Sequence, residues 1–529
     1  MGGVNVGDSP DDATDRPASS APEESVASGR VLEIRLRVPR VRPPSISYEW
    51  VKPRVVLATM IALYVAYFGV LTWAQQSNFG TFDFDLGIFD QQIWLAAHHL
   101  NALGTVRGLP LWANHVNPVI YLLVPFYWLG AGPHFLYLVQ VAAIASVAVP
   151  LYQLARARLH SDRLALVVPF AWLLYPANEW MTWWAFHPEY LALPAFVYAY
   201  WFADRHRWWP YWVCVALVLS TKEDAALAVI ALGALLLARR QTRVALATIG
   251  VAAAWFVISV RVIMPLATPN ATQIYLYMYS QFGSSFWSIL VNIVRHPSHI
   301  VNAIFTWSHV HYYEQLALPL GLLFVLSPVT LILVVPTFLL NVANNQGYPA
   351  DIRFQYTTFI ATGLFIAMIE GLGRVTRRGL LVLASLVLAG ASLITNATYS
   401  PSSLNQRVFN SGVWALQPSA QSREATKLLR RIPANAAVSA SYNIEPHLTH
   451  RDRIYTWPNP WVRSNYGVGA GQPPESGTDA NYLLVFTSEN TSSQLALLHR
   501  LTRPRGPFRV LADRHGVLLA VRKGRDAAG

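Results

Sequence analysis

The sequence predicts a mainly α-helical, polytopic membrane protein of about eleven spans, with a small α/β domain at its C-terminal end. Three observations predict it. Of the 529 residues, 53% are hydrophobic and only 13% are charged, against roughly 25% charged in ordinary soluble domains. Basic residues gather beside apolar runs and in alternate loops, the pattern of positive-inside topology. Beyond residue 395 the long apolar runs give way to short strand-like and helix-like stretches. The 19 Trp and 24 Tyr suit aromatic belts at two membrane interfaces, with some left to line a ligand groove. The formal charge of +12 would imply nucleic acid only if the basic residues formed a patch. They do not, so the expected partner is the lipid bilayer. Cys214 stands alone, which excludes an intrachain disulfide and a CxxC metal site.

Residues 1–29 are rich in Ser, Pro, Ala, Asp and Glu, too polar to build a core, and read as a disordered cytoplasmic tail. No basic region followed by an apolar core opens the chain, so no secretory signal is expected. The segment 30–54, with Arg30, Arg35, Arg37, Arg40, Arg42, Lys52 and Arg54, leads into the apolar run 55–74. It places the N-terminus inside a plasma (inner) membrane and sends the first helix outward.

The first outer loop, 75–133, opens with FDFDLGIFDQQIW. Read as one helix, it puts Asp85 on a side with Phe82, Phe89 and Ile93, and pairs Asp83 with Asp90 a heptad apart. Either one carboxylate sits in an apolar groove at the bilayer surface, available to take a proton or hold a metal, or the run is a solvated interfacial helix. The apolar part of 116–129 spans roughly 21 Å as a helix, short of the roughly 30 Å hydrocarbon core, and reads as re-entrant or interfacial. The run 134–154 then delivers the arginines of RARLHSDR to the inside.

Further crossings follow at 164–176, 190–203, 208–221, 225–238 and 244–264. The stretch 316–340, interrupted at Ser327-Pro328, reads as two short helices, and 357–372 and 379–395 complete the transmembrane domain 55–395. The outer turns carry FHPEY, with His187 and Glu189, and TKEDAA, with Lys222, Glu223 and Asp224. Charges in a hydrophobic hairpin cost roughly 2.5 to 3.5 kcal/mol each at mid-helix. Lys222 therefore either meets an anion such as phosphate, with Glu223 or Asp224 pairing to it or to a polar substrate, or forms an internal Lys/Asp pair at a turn. Arg353, between Asp351 and the aromatics Phe354 and Tyr356, is a second phosphate candidate or a solvated loop arginine. In 396–529, ATKLLRRI reads as a helix, AAVSASY and YLLVFTS as buried strands, and FRVLADRHGVLLAVRK as a hairpin. This extracytoplasmic α/β domain would cap or gate the membrane cavity, recognise an acceptor, or act as a structural plug.

The runs FDLGIFDQQIW, HVNPVIYLLVPFYWL, FHPE, TKEDAAL, PTFLLN and PANAAVSASYNIEPHLTHRDRIYTWPN together resemble a prokaryotic multispanning membrane-protein family allied to the GT-C glycosyltransferases. Those enzymes take sugars from polyprenyl-phosphate carriers. The resemblance covers about residues 55–500 and implies a GT-C-like bundle. It also implies that an acidic residue shortly after the first span acts as general base or helps to bind metal and acceptor. Asp85 holds that place, with Asp83 and Asp90 as alternates. The superfamily's usual Asp-Glu pair is absent, because Leu86 follows Asp85. His115 opens a segment similar to the superfamily's His-x-Pro-Pro, and orients acceptor or phosphate, or caps the helix start. His187 and Glu189 stand at another outer helix start, where Glu189 suits the helix dipole.

The function so implied is transfer of a sugar from a polyprenyl-phosphate donor to an envelope lipid, glycan or protein on the outer face. Lys222 and Arg353 would stabilise the leaving phosphate, and one displacement would invert the anomeric centre. No cofactor is demanded. A divalent metal, Mg or Mn, on Asp85, His187 and Glu189 is left open, although the spacing is not that of a metal motif. A lipid-linked-sugar flippase or a noncatalytic envelope scaffold would use the same sequence features. Nucleotide-driven transport lacks its Gly-x-x-x-x-Gly-Lys-Ser/Thr loop.

Overall fold

A computed structural model describes residues 52–100, 103–269, 276–467 and 479–524. The tail and most of the basic segment, 1–51, lie outside the described residues, as does part of the long polar stretch after residue 265. Among the described residues four helices are long and apolar enough to cross a membrane: α1 (Pro53–Ser77), α3 (Pro133–Leu159), α9 (Thr242–Ala267) and α15 (Arg378–Tyr399). Pro53 starts α1 where its missing N–H is not needed. Shorter helices fill in the bundle: α4 (Val167–Leu173), α5 (Pro176–Trp183), α6 (Ala192–Asp204), α7 (Trp208–Leu219), α8 (Ala225–Ala238) and α14 (Thr358–Leu372). Every position of α14 except Glu370 is buried, the signature of a helix at the centre of a bundle.

Glu370 faces the end of the bundle that carries the basic loops. Arg158 of α3 donates to it at 3.0 Å and the Tyr200 hydroxyl of α6 at 2.7 Å. Arg158 also holds Asp204 at 2.5 Å, and Arg239, just after α8, lies 3.7 Å from the same carboxylate. Four helices are thereby tied at one end by charge-assisted bonds.

Three sequence expectations change here. Residues 83–94 are not one helix: Phe84 and Asp85 have non-helical backbone, and α2 (Ile88–Ala97) begins only after Gly87. The segment 116–129 is two separate short turns, Pro118–Leu122 and Val124–Tyr127, because Pro118 and Pro125 each restart the chain. The stretch 316–340 is mostly 3₁₀ turns, Leu318–Leu320, Leu323–Leu326 and Pro328–Leu333, before α13 (Val335–Val342). The reversal does fall at Ser327-Pro328, next to Leu326, whose carbonyl accepts from Arg374 at 2.8 Å.

The C-terminal domain is a five-stranded sheet ordered β4-β3-β5-β7-β6. Its strands are β3 (Val438–Ala440), β4 (Ile454–Thr456), β5 (Tyr482–Phe486), β6 (Phe508–Arg514) and β7 (Val517–Arg522). The hairpin β6-β7 is antiparallel, whereas β3 runs parallel to both its neighbours. Alternation along β5 and β7 sorts the faces. Leu484 and Leu519 face α16 (Ala420–Leu429), while Leu483, Val485, Leu518 and Ala520 face α17 (Ser492–Thr502). Phe79, Ile88 and Val106 of the first loop join the α16 side, so the domain and the aspartate stretch share one hydrophobic core.

A short hairpin, β1 (Leu103–Gly104) and β2 (Leu109–Pro110), adds a polar clasp. At its tip Arg107 donates to the Asn465 and Gly467 carbonyls and accepts from the Gly467 N–H at 2.8 Å. Gly108 has φ 65°, and a β-carbon there would lie 2.5 Å from the Tyr466 ring. Gly108→Ala is expected to destabilise the protein by about 1–3 kcal/mol through backbone strain and overpacking. Thermal unfolding in detergent measures it; an unchanged Tm would show that the clasp contributes nothing.

Candidate functional site

Four chain segments meet at the end of the bundle that carries the C-terminal domain. The first is Asp83–Gly87, where Asp85 has φ 72° and ψ −67°, a γ-turn conformation that L-residues seldom occupy. Strain of this kind persists only where the surroundings fix it. Here the Asp83 N–H donates to the Tyr442 carbonyl at 3.0 Å, and the Asp83 carboxylate accepts from the Phe84 N–H and the Thr456 hydroxyl. The Arg107 guanidinium lies 5.8 Å over the Phe84 ring.

The second segment is Trp184–Leu191. Pro188 forces an extended backbone on His187 and starts a 3₁₀ turn that carries Glu189. The His187 Nδ1 lies 3.0 Å from the Ala185 carbonyl. A carbonyl only accepts, so Nδ1 carries a proton. The other ring nitrogen, Nε2, is 3.2 Å from Asp85 Oδ2. Facing a carboxylate, it is held as an imidazolium. Burial pulls the His187 pKa down, but Asp85 and then Glu189 outweigh it, and the net direction is up. Burial likewise works against the Asp85 anion, yet His187, His115 and Lys222 hold its carboxyl below the usual range.

The third segment is the turn between α7 and α8, with Lys222, Glu223 and Asp224. The buried Lys222 ammonium sits 2.9 Å from Glu189 and 3.3 Å from Asp224, and 5.8 Å over the Tyr356 ring. Against the cost of burial, Asp224 and Glu189 keep Lys222 charged and push its pKa up. Burial opposes the Glu189 anion too, but Lys222 and the histidines hold it below the ordinary carboxylate value. Glu223 turns the other way, taking His115 Nδ1 at 2.9 Å and the Val116 N–H at 3.0 Å. Despite burial, His115 brings its pKa down to about 2. Glu223 and His115 thus splice the turn to the start of the Pro118 segment, beside a backbone bond from Val119 to Ser220. Asp224 is the most open of these acids, 42% exposed. Burial and the neighbouring acids raise its pKa in spite of Lys222.

The fourth segment, residues 343–357, supplies aromatic walls. Tyr348 and Tyr356 lie 5.7 Å apart, and Phe354 meets Trp184 edge-on at 4.7 Å. Trp184 continues to Phe82 and Phe82 to Tyr442, an unbroken aromatic strip from the bundle to the C-terminal domain. Burial, and more weakly the Asp85 charge, push the Tyr348 pKa up, and burial with Asp224 does the same for Tyr279.

Of the residues singled out in the sequence, Asp85, His187, Glu189, Lys222, Asp224 and Tyr356 come together, with His115 and Glu223 bracing them. Arg353 is exposed and grips Asp351 through both carboxylate oxygens, its Nε reaching Oδ1 at 3.1 Å and a terminal guanidinium nitrogen reaching Oδ2 at 2.6 Å. Asp83 faces the C-terminal domain. Asp90 is fully buried away from the cluster, taking the Tyr127 hydroxyl at 2.6 Å, the Thr449 hydroxyl, and His450 at 3.2 Å. The sequence reading missed Tyr279, Tyr348, Trp184 and Tyr442, although GYPADIRFQY carries an aromatic cluster that signals the fourth segment. A metal does not fit the donor set. The Lys222 cation already lies between Glu189 and Asp224, the other ring nitrogen of His187, Nε2, is turned to Asp85, and among the described residues no three His, Cys, Asp or Glu are grouped to hold an ion.

Comparison with known proteins adds three findings. The family described as "Predicted membrane protein (DUF2079)" matches residues 76–519. The structure is similar to the crystal structure of ArnT from Cupriavidus metallidurans bound to undecaprenyl phosphate. That likeness has a TM-score of 0.53 at 12% identity and covers 90% of this chain and 99% of the other; at such identity it is a likeness of fold. No curated protein matches.

Proposed function

The chain belongs to the predicted membrane proteins of the DUF2079 family, and from that premise we propose that it is a GT-C-type glycosyltransferase using a polyprenyl-phosphate-linked sugar. The observation that carries this reading is the pairing, in one cluster, of an ionised carboxylate at a strained turn with a buried ammonium. One group can take a proton and the other can meet a leaving phosphate. The undecaprenyl phosphate bound by the ArnT fold neighbour supports the same class of carrier.

In this mechanism the acceptor hydroxyl oxygen attacks the anomeric carbon as the bond from that carbon to the phosphate oxygen breaks. The hydroxyl proton passes to Asp85, and the polyprenyl phosphate leaves as an anion beside Lys222. One displacement inverts the anomeric centre. Phosphate competes with Asp224, the more open of the two partners of Lys222, and Glu189 keeps the ammonium in place. Trp184, Tyr348 and Tyr356 offer apolar faces with polar tips to the sugar. The topology that goes with this reading has about eleven crossings, the arginine-rich loops cytoplasmic and the C-terminal domain extracytoplasmic. The domain division is 1–29, 30–54, 55–395 and 396–529, and the acceptor is a lipid, glycan or protein of the envelope.

Thermal unfolding with added polyprenyl phosphate tests the carrier assignment. A ligand at a hundredfold excess over its Kd stabilises by about 2.7 kcal/mol. Polyprenyl phosphate is expected to raise Tm, and the matching prenol, lacking phosphate, to leave it unchanged. Equal shifts with both, or no shift with either, would overturn the assignment.

A further inference from the structure

Glu445 belongs to the C-terminal domain, in the 3₁₀ turn Glu445–His447. It is completely buried, and among the described residues neither carboxylate oxygen has a hydrogen-bond partner. An unpaired buried carboxylate is among the costliest groups a protein holds in its ionised form, and far cheaper when neutral. What it packs against is Gly87, the last residue of the Asp85 turn. A β-carbon on Gly87 would collide with Glu445 Oε2.

The charged and titratable groups facing it do not neutralise it. Asp83 and Asp90 approach from the first loop and oppose a second anion, and Tyr442 of its own domain is a phenol that burial keeps neutral. Among the described residues the cation that acts on it is Arg451, which donates instead to the carbonyls of Leu448 and Ala436, both at 2.7 Å. The strained turn is thus held on two sides by the C-terminal domain: at Asp83 through Tyr442 and Thr456, and at Gly87 through Glu445.

We propose that Glu445 is a positioning residue for Asp85, seated as a neutral carboxylic acid that keeps the Asp83–Gly87 turn closed against the C-terminal domain. This deepens the reading of Asp85 as the base, and rests on it for its catalytic meaning. The contact itself is testable without any activity. When the turn opens to water, Glu445 regains an ordinary carboxylate pKa and ionises. Burial first, and then Asp83 and Asp90, keeps its pKa in the closed state well above that range. Burial also moves Asp83 up, to about 8.

The sign follows by linkage. The closed state binds more protons than the open one from roughly pH 5 upward, so closure is strongest in acid and weakens as pH rises toward the closed-state values. Opening increases about tenfold per pH unit for each proton retained.

Hydrogen exchange of the full-length protein, read on peptides spanning 79–95 between pH 5 and 9 and corrected for the intrinsic exchange rate, measures this opening. The wild type is expected to lose protection with rising pH. Glu445→Gln, which mimics the neutral acid, is expected to lose about one tenfold step per pH unit less than the wild type. Identical slopes in the two proteins, or pH-independent protection in the wild type, would overturn the proposal whatever the protein's activity. If Glu445→Gln does not fold, Glu445→Met, which removes the titrating group and keeps much of its volume, provides the second arm: its slope must also be flatter than that of the wild type, and an unchanged slope overturns the proposal.

Discussion

Asp85→Asn is expected to lower sugar transfer by about 10²- to 10⁴-fold, the usual contribution of a positioned general base, with little change in Tm. The two halves of that expectation come from the same geometry. His187 presents Nε2 to Asp85 and fixes its own Nδ1 proton on the Ala185 carbonyl. When the carboxylate becomes an amide, the imidazolium loses its counter-ion and reverts to the neutral ring. Its Nε2 lone pair then accepts from the new Asn N–H, and no buried charge is orphaned. Asn is also among the few residues that tolerate positive φ, so the turn at 72° keeps its shape. The base is lost and the fold is kept. Carrier-induced stabilisation should survive in the variant, because the phosphate is assigned to Lys222. Full transfer activity in Asp85→Asn would remove Asp85 from the base role, and a collapse in Tm would show that its work is structural.

The chemistry-bearing residue types were legible in the sequence because charge inside an apolar chain has no cheap explanation. His187, Glu189, Lys222 and Asp224 stand out against the short apolar helices on either side, and they meet in space. The helical character was legible for the same reason, but of the eleven crossings expected only four correspond to described helices long and apolar enough to cross a membrane. What failed is instructive. The heptad relation of Asp83 and Asp90 assumed a helix that Asp85 breaks, and a γ-turn leaves no trace in residue periodicity. It is set by partners some 360 residues away in sequence, Tyr442 and Thr456. Arg353 reads in the sequence as a phosphate candidate or a solvated loop arginine, and only the structure shows the exposed side chain paired with Asp351 two residues before it. The division of labour among the three aspartates is likewise a tertiary property. Asp90 has the same local surroundings as Asp85, and becomes an anchor only because Tyr127, Thr449 and His450 surround it.

The C-terminal domain shows how much function is hidden when a sequence is read segment by segment. Its strands were visible, but its role among cap, recognition module and plug was not. Its sheet shares a core with Phe79, Ile88 and Val106 of the first loop, and its Tyr442 extends the aromatic strip that begins at Trp184. A domain so placed packs directly against the turn that carries Asp85. Truncation at about residue 400 would therefore expose core and abolish function for reasons unrelated to recognition, and cannot separate a scaffold from an enzyme.

Lys222→Ala is expected to produce the largest combined effect: loss of carrier-induced stabilisation and destabilisation of about 3–5 kcal/mol, the range for breaking a buried ion pair by removing one partner. The cause is Glu189, buried 2.9 Å from the missing ammonium and left without its main counter-charge. Destabilisation alone would not identify a phosphate site, since any buried pair behaves this way. The double variant Lys222→Met with Glu189→Gln separates the two roles, because it removes both charges and keeps much of the volume. Replacing a buried pair by uncharged groups is often neutral or stabilising, so Tm is expected to recover. If Lys222 serves only to pair with Glu189, the recovered protein will also respond to polyprenyl phosphate as the wild type does. If Lys222 meets the phosphate, stability returns and the response to the carrier does not. The non-additivity of the two substitutions in Tm, set against the additive loss of binding, distinguishes an ion pair that holds a hairpin from one that also holds a ligand.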